Sequence, residues 1–164
     1  MKKNQITEDL FVENIERQKD IMFRIAYGVL RNTTAAEDAV SEAVLRAWEK
    51  RGSLRDQEKL AQWLLKIVLN VSKTMVVKRG RESPSGDMES HAGHTMPPSF
   101  VHIEQKIDIW QVVMALKEEY RLVVIMYYYS EFTVKEISAM LGIPEGTVKN
   151  RLFRAREILK TMLE

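Results

Sequence analysis

The segment from residue 133 to residue 156 constrains the fold more than any other part of the chain, because it contains boundary signals for two short helices. Thr133 followed by Glu136 is a capping-box pattern, which predicts the start of the first helix. Gly142 stands where a left-handed residue would close that helix, and Pro144 suits the first turn of the next one. Apolar residues at helical spacing predict the two buried faces: Val134, Ile137, Met140 and Leu141 in the first helix, and Val148, Leu152, Ala155 and Leu159 in the second.

The other side of the second predicted helix is polar and basic, which distinguishes the segment from an ordinary helical hairpin. Two short helices around a glycine-containing turn are the pattern of a DNA-binding helix-turn-helix, whose second helix enters the major groove. Gly146 would let the backbone approach a duplex closely, and Asn150 can hydrogen-bond to adenine. Lys149 and Arg154 can contact phosphates or guanine. For Phe153 the pattern predicts contact with a thymine methyl group, with packing against a neighbouring helix as the alternative.

The same helical spacing extends over most of the remaining chain. Apolar residues recur at helical intervals over residues 11–29 and 58–78, and Thr34 with Glu37 forms another capping-box pattern that predicts a helix start between them. Residues 122–129 have strong β-propensity, but the chain offers no partner strand, so we interpret them as helix. The sequence therefore predicts an all-α fold.

Residues 80–99 differ in composition from the segments on either side. Gly, Pro, Ser, His and Asp dominate them, and such a segment cannot bury enough apolar area to offset the entropy lost on ordering. We therefore predict two small helical domains, residues 1–80 and residues 103–164, joined by a flexible linker over residues 81–102. The C-terminal domain contains the helix-turn-helix.

The residue types present also limit the possible functions. The chain has no cysteine, which excludes disulfides, thiolate metal sites and a cysteine nucleophile, and is typical of a reducing compartment. His91, His94 and His102 lie in or beside the predicted linker, where solvated side chains are favoured over a metal site or a catalytic group. We therefore expect no enzyme activity, cofactor or metal. The apolar stretches are too short for a membrane span and the N-terminus lacks a signal-peptide core, so the expected location is the cytoplasm.

The net charge of +2 is small, but basic residues concentrate in one segment. Residues 59–81 contain six basic residues and no acidic one. The six are Lys59, Lys66, Lys73, Lys78, Arg79 and Arg81. A basic segment in a nearly neutral chain is either a phosphate-contacting surface or the solvated end of a helix.

Three runs of residues in the predicted helices form a set: AEDAVSEAVLRAW at 36–48, QWLLKIVLN at 62–70 and GTVKNRLFRAR at 146–156. Together they resemble motifs of bacterial RNA polymerase sigma factors of the small, two-domain extracytoplasmic-function (ECF) group. The first resembles that family's core-polymerase-binding helix and the second its promoter-melting helix. The third is similar to the helix that recognises the −35 promoter element. The resemblance covers nearly the whole chain.

The resemblance implies a promoter-specificity subunit of RNA polymerase, held by an inhibitory anti-sigma factor in a stress or envelope response. It also implies a role for particular residues in each run. Contact with core polymerase would involve Asp38, Glu42, Leu45 and Arg46. Capture of the −10 element would involve Asn70 and Lys73. Recognition of the −35 element would involve Gly146, Thr147, Lys149, Asn150, Phe153 and Arg154.

Two alternatives remain at the level of sequence. A free-standing helix-turn-helix regulator, with an N-terminal sensing or dimerising domain, would bind duplex DNA without polymerase. Within the N-terminal domain, Trp63 could stack on a base, although burial in the core is the favoured interpretation.

Overall fold

The computed structural model describes residues 5–82 and 108–164, and these form two compact helical units. No β-strand occurs in either described range, which confirms the all-α prediction. His91, His94, His102 and residues 83–102 of the predicted linker lie outside the described residues.

The N-terminal unit is a bundle of three helices, each packed against the other two. Its helices are α1 (Glu8–Leu30), α2 (Thr33–Lys50) and α3 (Leu60–Glu82), with short 3-10 helices at Arg51–Ser53 and Gln57–Lys59. The third helix was predicted over residues 58–78. It begins slightly later and its backbone continues two residues past position 80, into the range predicted as linker.

The core of this bundle combines small residues on α2 with large ones on α1 and α3. The fully buried residues of α2 are Ala35, Ala36, Ala39, Ala43 and Ala47. The large side chains around them include Met22, Ile25, Leu64, Leu65, Val68 and Leu69. Burying each large apolar side chain stabilises the fold by about 1.5–3 kcal/mol, and the alanines let the neighbouring helices approach α2 closely.

Aromatic residues from all three helices form one cluster in the core of the bundle. The rings of Phe11 and Trp48 meet edge to face with their centroids 5.1 Å apart. Trp63 is half-buried and packs against the same cluster, as the core interpretation of this residue predicted. The Arg51 guanidinium lies 3.6 Å from the centre of the Trp48 ring, and its Nη1 donates to the Trp48 carbonyl at 2.6 Å.

One described helix, Gln57–Gly80, is long and apolar enough to cross a membrane by length and composition. Its apolar side chains have another explanation within the bundle. Leu64, Val68 and Leu69 are fully buried in the packing of α3 against α1 and α2. The high hydropathy of α3 is therefore explained by the side chains that it contributes to the core of the bundle.

The predicted capping box at Thr34 and Glu37 is wrong. Asn32 caps α2 instead: its backbone is extended, and its side-chain oxygen accepts a hydrogen bond from the amide of Ala35 at 2.8 Å. The preceding residue, Arg31, adopts a left-handed conformation with φ of 54°. The helix begins at Thr33, two residues before the start that a cap at Thr34 predicts, so Thr34 already lies inside it.

The described part of the C-terminal unit, residues 108–164, contains four helices, one of which ends in a wider π-helical turn. They are α4 (Ile109–Met114), α5 (Glu118–Val124) with the π-helical turn Ile125–Tyr129, α6 (Val134–Leu141) and α7 (Glu145–Leu163). Residues 122–129 are therefore helical as predicted, despite their β-propensity. They form the centre of the unit, and Val123, Ile125 and Met126 are fully buried.

A buried arginine connects α4 to α5. Arg121 is almost fully buried, and its Nη1 donates to the carbonyls of Leu116 at 2.9 Å and Met114 at 3.3 Å. These carbonyls belong to the last residue of α4 and to the segment just after it, where a helix leaves acceptors without partners of its own. Since a buried charge is costly unless it is hydrogen-bonded, these bonds explain how the core accommodates Arg121.

Replacement of the two candidate caps of α2 tests this account of the fold. Asn32→Ala should lower the free energy of unfolding by about 1 kcal/mol, because the amide of Ala35 loses its acceptor. Thr34→Ala, an exposed position in the first turn of the same helix, should change it by less than about 0.5 kcal/mol. Urea unfolding followed by circular dichroism measures both, and the reverse order of effects would reinstate Thr34 as the cap.

Candidate nucleic-acid interface

The start of α6 has the predicted capping box. The Thr133 hydroxyl accepts a hydrogen bond from the amide of Glu136 at 3.1 Å. In return, the Glu136 carboxylate accepts one from the amide of Thr133 at 2.8 Å. Two amides that would otherwise lack partners are satisfied, so the first turn of α6 is firmly defined.

The turn after α6 is closed by Gly142, whose φ of 66° confirms the predicted left-handed conformation. The amides of Gly142 and Ile143 both donate to the carbonyl of Ser138, at 2.9 and 3.2 Å. The Ser138 hydroxyl donates to the carbonyl of Ile143 at 2.5 Å. These three bonds hold the turn in one geometry, as expected where a helix ends in a left-handed residue.

Pro144 lies one position earlier than predicted. It was expected inside the first turn of α7, but its ψ of 149° is extended, and it precedes the helix as the N-cap residue. Its carbonyl accepts hydrogen bonds from the amides of Thr147 and Val148, at 3.0 and 3.1 Å. The proline ring restricts φ and therefore fixes the angle at which the chain enters α7.

The inner side of α7 is buried and the outer side is exposed. Val148, Leu152 and Ala155 are buried as predicted, while Leu159 is half-buried. The predicted contact residues lie elsewhere on the helix. Gly146, Lys149, Asn150, Phe153 and Arg154 are exposed, and Thr147 is half-buried.

The packing of the unit does not explain why residue 153 is a phenylalanine or why residue 146 is a glycine. The Phe153 side chain is 61% exposed, so the alternative of packing against a neighbouring helix is wrong for the described unit. A Cβ atom added to Gly146 would meet no other atom within 4 Å, so internal packing does not require a glycine there. An unobstructed stretch of backbone therefore lies in the first turn of α7, and an exposed aromatic ring lies about two turns further along the helix.

The predicted −10 residues lie on the exposed side of α3. Asn70 and Lys73 are exposed and one turn apart, while Val71 and Ser72 between them are buried. The Thr74 hydroxyl donates to the backbone carbonyl of Asn70 at 2.9 Å. Five of the six basic residues are exposed on or just before α3: Lys59, Lys66, Lys73, Lys78 and Arg79.

The four predicted polymerase-contact residues lie on the side of α2 opposite its buried alanines. Asp38, Glu42, Leu45 and Arg46 are all exposed. Arg46 forms an ion pair with Glu42, one turn away. Leu45 is 58% exposed, although the bundle core lies on the other side of the same helix. This surface therefore combines one exposed leucine with the Asp38 carboxylate and the ion pair of Glu42 and Arg46.

Sequence analysis did not find two contacts of the C-terminal unit. Nε of Arg156 donates to the hydroxyl oxygen of Tyr128 at 2.6 Å, across 28 positions of sequence. Arg151 forms an ion pair of 3.8 Å with Glu119 on α5. No local pattern signals either contact, because each depends on how α7 packs against α5 and the turn that follows it. Within residues 5–82 and 108–164, no cluster of His, Asp or Glu side chains is arranged to hold a metal ion.

Comparison with known proteins assigns a family to both ends of the chain. The family model of Sigma-70 region 2 matches residues 15–82, and that of Sigma-70 region 4 matches residues 106–159. The ECF RNA polymerase sigma factor SigW of Bacillus subtilis (strain 168) is 30% identical over 168 residues, covering 95% of this chain and 90% of the relative. This chain belongs to the ECF RNA polymerase sigma factor family. The family resemblance of the three sequence motifs is thereby confirmed.

Other ECF sigma factors match over a similar extent. The sigma-E factor of Escherichia coli (strain K12) is 24% identical over 183 residues, covering 98% of this chain and 96% of that protein. The solved structure of the sigma factor RpoE in complex with the anti-sigma factor NepR, from Bartonella quintana, matches with a TM-score of 0.81 at 25% identity, over 96% of this chain and 98% of that one. CnrH, solved with the cytosolic domain of CnrY, has a TM-score of 0.65 at 18% identity, over 96% and 89% of the two chains, and supports the fold alone.

The three candidate surfaces of this ECF sigma factor fall within the matched regions. The exposed sides of α2 and α3 belong to region 2, and the helix-turn-helix formed by α6 and α7 belongs to region 4. Its relatives are transcription initiation factors and not enzymes.

Two adjacent residues of α7 allow a test of which side chains stabilise the fold and which are available to bind DNA. Phe153→Ala should change the free energy of unfolding by less than about 0.5 kcal/mol, because the ring is already exposed. Leu152→Ala should cost about 2–5 kcal/mol, because it leaves a cavity in the core. Chemical denaturation of the two variants measures the difference, and a large cost at Phe153 would mean that its ring is packed in solution.

Proposed function

We propose that this chain directs RNA polymerase core enzyme to specific promoters and promotes initiation of transcription there. The observation that supports this most directly is the pair of matches to Sigma-70 regions 2 and 4, one on each helical unit. A free-standing regulator would need only the second of these. The region 2 match therefore favours the sigma-factor function over that alternative.

The outer side of α7 is the proposed contact with the −35 element. Lys149 and Arg154 would contact phosphates or guanine, Asn150 would pair with adenine, and Phe153 would meet a thymine methyl group. Their exposure supports these roles. Gly146 and Thr147, in the first turn, would approach the DNA backbone, where helix amides bind phosphate.

The exposed side of α3 is the proposed contact with the −10 element. Opening a promoter requires bases to leave the stack, and an extruded base needs polar partners together with a cation near its phosphate. Asn70 offers an exposed amide, and Lys73 places an ammonium group one turn away. The buried Leu69, Val71 and Ser72, before and between this pair, anchor this part of the helix in the bundle.

The outer side of α2 is the proposed docking surface for core polymerase. Asp38, Glu42 and Arg46 offer charges that can pair with a partner, and Leu45 offers an apolar side chain that the fold leaves exposed. An exposed leucine among charges is an arrangement suited to a protein partner, in which the leucine becomes buried and the charges form the rim.

We also propose the division into domains at residues 1–80 and 103–164, with residues 81–102 as the connection between them. A fully extended chain of this length spans at most about 75 Å. That length allows the two domains to contact separate promoter elements while both are bound to polymerase.

Regulation by an anti-sigma factor is part of the proposal. RpoE of Bartonella quintana was solved with the anti-sigma factor NepR. A comparable partner would cover the polymerase- and DNA-contacting surfaces of this chain until a stress or envelope signal releases it. We further propose that the chain acts in the cytoplasm and leaves the phosphoryl-transfer chemistry to the polymerase.

Run-off transcription tests the proposed function. Purified core polymerase with this chain, supplied with genomic fragments, should give transcripts that begin at discrete start sites and are absent without the chain. The same chain should be tested for duplex binding by gel shift with and without core enzyme. Specific binding by the chain alone, as a dimer on a two-fold site and with no transcripts at any fragment, would establish the free-standing regulator instead.

The proposed division of labour between the two units leads to a paired prediction. Arg154→Ala should weaken binding of the holoenzyme to a duplex −35 element by about 1–3 kcal/mol and relax its sequence preference. Asn70→Ala should leave that binding unchanged and reduce promoter opening, since it removes a partner of the extruded base.

Permanganate reactivity of unpaired thymines measures opening, and competition with duplex −35 DNA measures binding. If the two variants weakened duplex binding equally, the assignment of separate elements to the two units would be wrong.

A further inference from the structure

Tyr128 and Arg156 form a contact that the proposed function does not yet use. Tyr128 lies in the π-helical turn Ile125–Tyr129, and Arg156 lies near the middle of α7. The Tyr128 ring is 51% exposed and Arg156 is exposed as well, so the contact of 2.6 Å forms at the surface of the unit. Turns of π-helix occur frequently at functional sites.

The hydrogen bond engages only one of the three guanidinium nitrogens. Nε donates to the Tyr128 hydroxyl oxygen, and the guanidinium carbon lies 5.8 and 5.7 Å from the ring centres of Tyr127 and Tyr128. Within the described residues, Nη1 and Nη2 of Arg156 have no acceptor and form no ion pair. The group is therefore held from one side while its terminal nitrogens remain available to a ligand.

Arg154 is exposed as well, but no described contact orients its guanidinium. The two remaining arginines of the described unit are engaged within it. Arg121 is buried and donates to carbonyls, and Arg151 is paired with Glu119. The charge of Arg156 is neutralised by no described carboxylate. An exposed, oriented and unneutralised guanidinium is suited to bind an oxyanion through two parallel N–H groups.

The position of Arg156 on α7 indicates which oxyanion its guanidinium would bind. Lys149, Phe153 and Arg156 follow one another at spacings of four and three and therefore form one row along the helix. At 1.5 Å per residue, Arg156 lies about 10 Å beyond Lys149 along the axis. The N-terminal residues of a recognition helix contact base edges in the groove. Since the major groove is about 12 Å wide, a side chain this far along the helix reaches its wall, which consists of phosphates.

We propose that Tyr128 is a positioning residue for DNA binding, whose hydroxyl holds the guanidinium of Arg156 against a phosphate beside the −35 groove. The proposal rests on the proposed function of α7. It adds a contact to the DNA backbone that does not depend on the base sequence. An exposed arginine loses side-chain freedom when it binds a phosphate, and a bond formed before binding reduces that loss. Tyr128 thus strengthens a contact that it does not make itself.

Salt dependence of binding separates a phosphate contact from a structural role. The holoenzyme would be titrated with a fluorescent duplex containing a mapped −35 element, at several sodium chloride concentrations. Arg156→Gln should reduce the slope of log affinity against log salt by about 0.9, the value for one phosphate, and should weaken all sequences equally. An unchanged slope would show that Arg156 does not contact a phosphate.

Substitution of the tyrosine tests positioning. Tyr128→Phe removes only the hydroxyl and should reduce affinity about twofold to tenfold, since Arg156 must then be ordered on binding. In the Arg156→Gln background the same substitution should have no further effect, because the residue it positions is gone. Tyr127→Phe is the matched control: the adjacent hydroxyl does not bond to Arg156, so affinity should not change.

The outcomes distinguish this proposal from the function on which it rests. If the unmodified holoenzyme bound no promoter duplex, the proposed function would fail. If it bound, but Tyr128→Phe acted equally in both backgrounds or lowered the thermal stability together with the affinity, Tyr128 would be a structural residue and the positioning role would be overturned.

Discussion

The burial of Val148, Leu152 and Ala155 fixes the direction in which α7 presents its outer side. These residues pack in the unit where α7 contacts α5 and α6, and any rotation of α7 about its axis would expose them. The free energy of that burial therefore determines which residues can meet DNA. The same relation holds in the N-terminal unit, where the buried alanines of α2 place Leu45 and Asp38 on the solvent side.

The distribution of charge follows from this arrangement. A chain with a net charge of +2 can bind DNA only if a subset of its basic groups remains available. Internal ion pairs occupy Arg46 and Arg151, and hydrogen bonds to carbonyls occupy Arg121. The basic side of α3 and the row that contains Lys149 and Arg156 remain for phosphate contacts. A small number of available cations suits a subunit that binds promoters together with a larger DNA-binding partner, as we propose.

Local patterns in the sequence predicted the start and the end of α6 correctly and the start of α2 wrongly. The capping box of Thr133 and the left-handed Gly142 are both confirmed, because each depends on hydrogen bonds between close neighbours. The similar pattern at Thr34 failed, because the left-handed Arg31 and the side chain of Asn32 define the helix start two residues earlier. When two candidate caps are adjacent, the turn that precedes them decides which one is used.

The sequence by itself determined the all-α class, the helix-turn-helix and the family, because periodicity, capping and motif order are properties of residues close together in the chain. Only the tertiary structure decided that Phe153 is exposed, that the half-buried Trp63 packs against the core, and that Tyr128 reaches Arg156. These outcomes depend on which helices pack together and on the distance between side chains 28 positions apart. Local sequence contains no signal for such distances, since they are set by the burial of every helix at once.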